Sequence, residues 1–203
     1  MRQGTRSPAF RSVLWVVCVT LLGLGSVGLL RARGIAPAAP PATCLPTGFF
    51  RDQSPDNPVG TEMTAARINP PGTFTGPLDA TGCNVGIYYS GGHSGVINNA
   101  DIYGSNYFGV VADTDNGSPI NLTIKFTVVH HIGEYPHNGS QHGVGIYYRG
   151  FSGTVKGTID DNWILDYQKG GIVLNGVGIN VDVTDNTVMG DGHGRQACSA
   201  RLP

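Results

Sequence analysis

The chain repeats its own sequence at a fixed spacing. Residues 85–89 read VGIYY, and residues 144–148 read VGIYY again, 59 positions later. The stretch INLTIKFTVVHHIG at 120–133 is matched by INVDVTDNTVMGDG at 179–192, and this offset is also 59. Because two separate segments share one period, the sequence predicts a chain built from repeated structural units.

Each 59-residue unit divides into two shorter ones. Two apolar residues five positions apart recur four times with mostly polar or small residues between them, and a Gly followed by Ile or Val falls in each turn. The apolar pairs are Ile97/Ile102, Ile124/Val129, Ile159/Ile164 and Val183/Val188, and the Gly pairs are Gly86-Ile87, Gly109-Val110, Gly145-Ile146 and Gly171-Ile172. This pattern predicts two short strands per turn, joined by corners of Gly, Asn, Asp and Ser.

The fold predicted from this pattern is all-β: a parallel β-helix, a solenoid of about four turns over residues 82–192. One turn cannot bury its apolar face alone, so successive turns stack. An antiparallel sandwich is the second interpretation, although it would not repeat at a fixed period. Stacking would place Asn162 and Asn186 in one column, where their amides either form a hydrogen-bonded ladder or act as ordinary turn residues.

The two ends differ from the repeats. Residues 1–36 have a basic start and an apolar stretch at 13–30, and they are interpreted as an export signal or a single N-terminal membrane anchor. A Pro/Ala linker at 37–43 leads into a proline-rich, loop-like segment at 44–81, which is predicted to cap the first turn. An irregular tail follows at 193–203. The protein is therefore expected to be secreted or cell-surface, with membrane contact only through an uncleaved N-terminal segment.

The charge balance argues against nucleic-acid binding. Residues 1–36 hold five of the 13 basic residues and no acidic residue, which leaves 8 basic and 14 acidic side chains in the rest of the chain. A mildly acidic, lysine-poor domain attracts neither nucleic acid nor anionic lipid. A polyanionic sugar would need a bridging cation.

Cysteine usage fits export. Outside the N-terminal segment the cysteines are Cys44, Cys83 and Cys198. In an oxidising compartment Cys44 and Cys83 are predicted to pair and to tie the cap to the first turn, the alternative being two free thiols. Cys198 is left over in the tail.

Three stretches carry a family resemblance. They are VGIYYSGGHSGVINNADIYGSNYFGVVAD (85–113), HHIGEYPHNGSQHGVGIYY (130–148) and YQKGGIVLNG (167–176). Over about residues 43–192 the chain resembles exported right-handed parallel β-helix proteins of bacteria, notably actinomycete-type ones, within the pectate-lyase-like fold group. The resemblance implies a right-handed solenoid, and most such proteins have no assigned activity. Relatives continue for further turns, so the departure after residue 192 suggests truncation and an open last turn.

The densest group of reactive side chains lies in an inserted loop. From Val129 to the next Gly-Ile is 16 positions, against 7 at the equivalent places in two other turns. The sequence predicts a surface loop in which Glu134, His137 and His142 bind a ligand. His130 with these three residues could supply metal ligands, or Glu134 and a His could perform acid/base chemistry. The alternative is a polar loop that satisfies its own backbone.

Aromatic residues supply a further candidate surface. Alternation along a strand predicts one inward and one outward ring in each Tyr-Tyr pair, Tyr88/Tyr89 and Tyr147/Tyr148. Outward Tyr147 is predicted to bind a sugar ring through its flat face, with Tyr103, Tyr107 and Trp163 as additional members. The alternative is that these rings only cover strand edges.

Two acidic motifs complete the candidates. Asp160-Asp161 and the Gly-His-Gly around His193 are similar to the catalytic elements of polygalacturonase-like β-helix enzymes, although the Asn-Thr-Asp and Arg-x-Lys elements of that family are absent. Asp113 and Asp115 either ligate calcium or form a turn. The sequence predicts no cofactor, with calcium or another divalent cation as the alternative.

The sequence thus favours one function over another. The first hypothesis is an exported module that presents a surface to extracellular or cell-wall polysaccharide. The alternative is a polysaccharide lyase or glycoside hydrolase that acts on a pectin-like substrate.

Overall fold

The computed structural model describes residues 41–51, 60–140 and 142–190, and within them the chain is all-β with no helix. The strands are β1 (Leu45–Arg51), β2 (Glu62–Ile68), β3 (Thr73–Asp79), β4 (Val85–Ser90), β5 (Gly95–Tyr103), β6 (Phe108–Asp113), β7 (Ile120–Lys125), β8 (Val128–His130), β9 (Val144–Arg149), β10 (Val155–Asp160), β11 (Trp163–Leu165), β12 (Gly170–Asn175), β13 (Ile179–Thr184) and β14 (Thr187–Met189). The predicted all-β class is confirmed.

The strands form two sheets. The first, called sheet A, has the order β1-β2-β4-β6-β9-β12, and the second, called sheet B, has the order β13-β10-β7-β5-β8-β11-β14, with β3 also paired to β5. Apart from the antiparallel pair β1–β2, the paired strands of the described residues are parallel. From β4 onward the chain alternates between the sheets, so each pass adds one layer to both.

The predicted columns are present in the strand register. Ile87 pairs with Val110, which pairs with Ile146, and Ile146 pairs with Ile172. The two VGIYY strands, β4 and β9, are therefore separated by β6 alone, and the 59-residue period spans two passes. Sheet B shows the same alignment in two columns, Ile97–Ile124–Ile159–Val183 and Ile102–Val129–Ile164–Val188.

The core lies between the two sheets. Aliphatic side chains of both apolar columns pack there with Tyr89 and Tyr148, and most are fully buried. Glycine in sheet A allows the layers to approach: a Cβ on Gly109 would lie 2.5 Å from the carbonyl oxygen of Gly145 and 2.5 Å from a methyl group of Val129. The recurring Gly is thus required for close stacking.

Corners between strands reuse one backbone conformation. Residues with positive φ occupy matching places in four passes of sheet B, namely Asn99, Phe126, Asp161 and Asp185, and a second corner column holds Gly104, His131 and Asp166. Gly, Asn, Asp and His are the residues that adopt this left-handed region most readily, which explains the turn composition of the repeats. Phe126 is the exception, and its ring is 58% exposed.

A polar ladder runs beside the first corner column. The side-chain amide of Asn162 is buried and donates to Asn186 Oδ1 (2.9 Å) and to the carbonyl oxygen of Ile124 (2.9 Å). Its Oδ1 accepts from the backbone N–H of Thr127 (3.0 Å), and Thr127 Oγ1 in turn accepts from the N–H of Ala100 (3.4 Å). Of the two readings of this column, the structure shows the ladder, continued by a threonine.

The segment predicted as a loop-like cap contains three strands. β2 extends sheet A beside β4, and β3 extends sheet B beside β5, while β1 turns back on β2. Pro46 and Pro77 lie within strands that occupy the edges of the sheets, where a missing N–H is tolerated. The prediction of a loop-like segment is wrong because proline is compatible with an edge strand, where its missing N–H faces away from the sheet. A disulfide joins Cys44 to Cys83, 39 residues apart.

Several predictions fall on residues outside the described ranges. These are the signal or anchor at 1–36, most of the linker at 37–43, Cys198 and the tail at 193–203 with His193. Among the residues that are described, no helix is long and apolar enough to cross a membrane.

Candidate functional site

The inserted loop connects β8 of sheet B to β9 of sheet A, and one side chain from the next pass fastens it. Gln168 Nε2 donates to Asn138 Oδ1 (3.1 Å) and to the carbonyl oxygen of Ser140 (3.1 Å). Its Oε1 accepts from the backbone N–H of Glu134 (3.1 Å). Sequence reasoning missed Gln168, whose role follows from its position one layer above the loop.

Glu134 and His142 come together at the base of this loop, as predicted. His142 is 3% exposed, and Nε2 lies 3.4 Å from Glu134 Oε1. The carboxylate lies off the hydrogen-bonding direction, so both ring nitrogens of His142 lack a hydrogen-bond partner in the protein. Tyr107 stacks on the imidazole, with ring centroids 3.9 Å apart. A buried imidazole with two unsatisfied nitrogens is costly without a ligand or a water, and here it faces a half-exposed carboxylate.

His137 does not join that pair. Its Nε2 lies 3.9 Å from Asp166 Oδ1, and the other oxygen of Asp166 contacts His131 Nε2 at 3.1 Å. The predicted triple of Glu134, His137 and His142 is therefore split, because Asp166, at a corner of the next pass, attracts His137 away from Glu134. Sequence reasoning did not consider Asp166.

His130 belongs with the second group. Its Nε2 lies 2.9 Å from Asp101 Oδ1, and Tyr103 stacks on its ring with centroids 5.2 Å apart. The metal-ligand set of His130, Glu134, His137 and His142 is thus divided between two places. No group of three or more His, Cys, Asp or Glu side chains in the described residues is arranged to hold a metal ion.

An aromatic row crosses the outer face of sheet A. Phe108 stacks on Tyr147 with centroids 5.2 Å apart and an interplanar angle of 17°, and both rings are partly buried. Phe50 packs against Phe108 and Tyr88, and Tyr107 contacts Phe108 at the end nearest the loop. Tyr147 Oη accepts from Asn175 Nδ2 (3.1 Å).

The prediction of one inward and one outward ring holds in both Tyr-Tyr pairs, although the outward ring of the first pair is covered. Tyr148 is in the core and Tyr147 is on the outer face, but Tyr88 and Tyr89 are both buried. Tyr88 does point outward, where Phe50 of β1 stacks on it at 5.6 Å and excludes water. Trp163 lies in sheet B and is 56% exposed, so it is not part of this row.

A charged cluster lies at the other end of the same face. Asp113 ends β6, is 2% exposed, and accepts from Tyr88 Oη (3.4 Å) and from the N–H of Asp115 (3.1 Å). Arg149 contacts Asp115 closely and lies 3.8 Å from Asp113. Burial, with the nearby charge of Asp115, raises the pKa of Asp113 to about 6. Burial also raises the pKa of Tyr88.

The proposed Asp pair has a different environment. Thr184 donates a hydrogen bond to Asp160 and Lys125 forms an ion pair with it at 3.1 Å, and both lower the pKa of Asp160. Asp161 is exposed in the left-handed conformation at the corner between β10 and β11. This corner differs from that of the inserted loop, so the described carboxylates of the pair and the loop are not part of one site.

Comparisons with protein families, with curated proteins and with solved structures find no match to this chain. The geometry therefore carries the functional argument. It offers a candidate face on sheet A with a row of rings, an imidazole without a hydrogen-bond partner at one end and a mixed-charge cluster at the other.

Proposed function

We propose that this protein is an exported module that presents the outer face of sheet A to an extracellular or cell-wall polysaccharide. The proposal includes a right-handed parallel β-helix of the pectate-lyase-like group, since the chain alternates between two parallel sheets in register. Parallel crossovers are right-handed in about 98% of known cases. The sequence of residues 1–36 supports export, and the three stretches at 85–113, 130–148 and 167–176 support the bacterial family.

The row formed by Phe108 and Tyr147 is the observation that carries the proposal. Sugar rings present flat patches of C–H groups, which pack on aromatic faces, while their hydroxyls need hydrogen bonds at the edges. Asn175 holds the hydroxyl of Tyr147, and His142 and Arg149 lie toward opposite ends of the face. The face thus combines flat apolar area with polar groups at its margins, as saccharide sites do.

Binding is favoured over cleavage by the state of Asp160, the first carboxylate of the predicted catalytic pair. A hydrolase needs a general acid that holds a proton near neutral pH. Asp160 is stabilised in its ionised form by Thr184 and Lys125. Its carboxylate is therefore engaged in structure, and it is poorly placed to donate a proton.

The test is affinity electrophoresis of the full chain in gels that contain pectin, alginate or xylan. We expect at least one polysaccharide to retard the parent, and Tyr147→Ala to weaken retention about tenfold, which corresponds to about 1.4 kcal/mol. Trp163→Ala removes a more exposed ring from sheet B and is the control, which should bind like the parent. Unretarded parent protein, or equal retention by Tyr147→Ala, would contradict the proposal. Release of reducing ends or unsaturated products would support the enzyme alternative.

A further inference from the structure

The arginine at the charged end of the aromatic row is engaged by two carboxylates and a ring. Arg149 Nη1 contacts Asp115 and lies 3.8 Å from Asp113. The ring of Phe151 lies beside the guanidinium, with the carbon Cζ 5.4 Å from the ring centroid. The side chain of Arg149 is only 13% exposed. A further carboxylate that approached this arginine would also approach Asp115, so it would meet negative charge together with the positive one.

This end of the face carries no excess of positive charge in either protonation state of Asp113. With both acids ionised, two carboxylates surround one guanidinium, and the end is negative. Burial and the charge of Asp115 raise the pKa of Asp113 to about 6, so at lower pH the end becomes neutral rather than positive. Because like charges brought together across an interface cost free energy, a ligand carboxylate is disfavoured here.

The loop end of the face is balanced in a similar way. The side chain of Glu134 is 41% exposed, and Lys169 is exposed at the corner before β12. Gln168, the residue before Lys169, accepts from the backbone N–H of Glu134 (3.1 Å), which brings the two charged residues to one corner. Among the described residues, neither end of the face therefore offers the surplus of positive charge that attracts a polyanion.

The polar groups at the margin of the row match hydroxyls better than carboxylates. Tyr147 Oη accepts from Asn175 Nδ2 (3.1 Å), and its own O–H can donate to a ligand oxygen. The carboxylate of Asp115, whose side chain is 32% exposed, only accepts hydrogen bonds. A sugar hydroxyl both donates and accepts, whereas an ionised uronate group only accepts. A hydroxyl can therefore bond to Asp115, and a uronate carboxylate cannot.

We propose that the polysaccharide bound by this face is an uncharged one and that uronate polymers are excluded by the carboxylates at its margin. The inference rests on the proposed function, because it names the ligand class for the same row of Phe108 and Tyr147. The C–H patches of uncharged sugar rings pack on the row, and their hydroxyls bond to Asp115, Asn175 and Tyr147. Repulsion of the wrong ligand supplies specificity without any additional contact to the right one.

The experiment compares uncharged polysaccharides with charged copies of the same backbone. β-Glucan and galactomannan gain carboxylates when their primary alcohols are oxidised, and methyl-esterified pectin gains them when its esters are removed. Arabinoxylan and glucuronoxylan form a fourth pair. The full chain is run by affinity electrophoresis in gels that contain each polymer, beside a non-binding reference protein that corrects for the charge of the gel. We expect at least one uncharged polymer to retard the parent, and its charged copy to bind about tenfold more weakly.

Asp115→Asn tests the exclusion itself. The change removes the negative charge closest to Arg149 and keeps the size of the side chain, so affinity for the charged copies should rise about threefold relative to the uncharged polymers. Asp182→Asn removes the same charge from an exposed position of sheet B, and as the matched control it should leave this ratio unchanged. Added salt should reduce the discrimination shown by the parent, because exposed charges are screened. Urea unfolding establishes that both variants remain folded.

The outcomes separate this inference from the proposed function. Stronger retention by the charged copies, with or without added calcium, would overturn the inference and leave polysaccharide binding in place. Equal retention by both members of every pair would do the same. An unchanged ratio in Asp115→Asn would overturn the role given to the carboxylates. Absence of retention by every polymer, charged or uncharged, would contradict the proposed function and this inference with it.

Discussion

At the scale of single residues, Asp113 is the most perturbed acid on the proposed binding face. Its carboxyl is 2% exposed at the end of β6, and its partners are a tyrosine hydroxyl and a neighbouring arginine. The pKa of about 6, against an ordinary 3.8, means that the folded protein holds this proton more tightly than the unfolded chain. Ionisation of Asp113 therefore costs stability.

We predict that Asp113→Asn gains stability relative to the parent as pH rises. The folded state binds more protons than the unfolded state between pH ~4 and ~6, so the contribution of Asp113 falls across this window. A shift of about two pH units corresponds to ~3 kcal/mol as an upper value. Urea unfolding of both proteins at several values from pH 4 to 7 measures the difference. A difference that does not change with pH would contradict the prediction, and Asp182→Asn, on an exposed acid, is the control.

The sequence predicted part of the candidate site. The inserted loop could be predicted from the longer interval between Val129 and Gly145. The contact of Glu134 with His142 could be predicted because these residues stand near the start and the end of that loop, only eight positions apart. Asp166 and Gln168 were missed because they contact the loop from the next pass of the chain, about 30 positions away in the sequence. The strand register identifies residue pairs of this kind. Asp113 pairs with Ser90 on one side and with Arg149 on the other, and an alignment of the sequence repeats places these three residues at the same position.

At the scale of elements, the Asn162 ladder connects corners of successive passes. The amide of Asn162 is fully buried and satisfies the carbonyl of Ile124, the N–H of Thr127 and the amide of Asn186. Each of these hydrogen bonds stabilises the fold mainly because its loss would leave a buried donor or acceptor without a hydrogen-bond partner.

We predict that Asn162→Ala lowers the free energy of unfolding by ~3 kcal/mol, since it leaves buried donors and acceptors without partners. Asn186→Ala, at the partly buried end of the ladder, should cost less, about 1 kcal/mol. Asn180→Ala, on an exposed strand position, is the control and should change little. Chemical unfolding provides the three values. Equal effects of Asn162→Ala and Asn180→Ala would mean that the ladder adds nothing.

Strand positions in the repeats were predictable, whereas the first three strands were not. Apolar columns and glycine corners recur only from Val85 onward, and the earlier segment has no repeated pattern to align. Its strands form because β4 and β5 each offer an edge, a tertiary cause that local propensity does not report. The prolines within Leu45–Arg51 and Thr73–Asp79 favoured a prediction of loops over strands.

At the scale of the whole molecule, one covalent bond ties the first strands to the stack. The Cys44–Cys83 disulfide closes a segment of 39 residues that includes β1, β2 and β3. In the chain-entropy account, closing a loop of this size restricts the unfolded chain by ~4 kcal/mol.

We predict that the double change Cys44→Ser/Cys83→Ser lowers the free energy of unfolding by ~2–4 kcal/mol, chiefly because the unfolded chain regains freedom. Circular dichroism should still show strand structure at low temperature, because β4 to β14 keep their own pairings. Thermal and urea unfolding measure the loss, with Cys198→Ser as the control. Unfolding of the variant at the midpoint of the parent would show that the bond contributes nothing.

The in-register stacking of two passes gives the chain a unit of growth. Residues 120–178 are 59 long, begin at the first residue of β7 and end just before Ile179, which occupies the same column as Ile120 through Val155. A gene in which this segment is duplicated in tandem would encode two further layers whose aliphatic and asparagine columns meet their neighbours in phase. The 35-residue and 24-residue steps within that segment show that length varies only at the corners. Lengthening by copying is thus a route open both to evolution and to a designer.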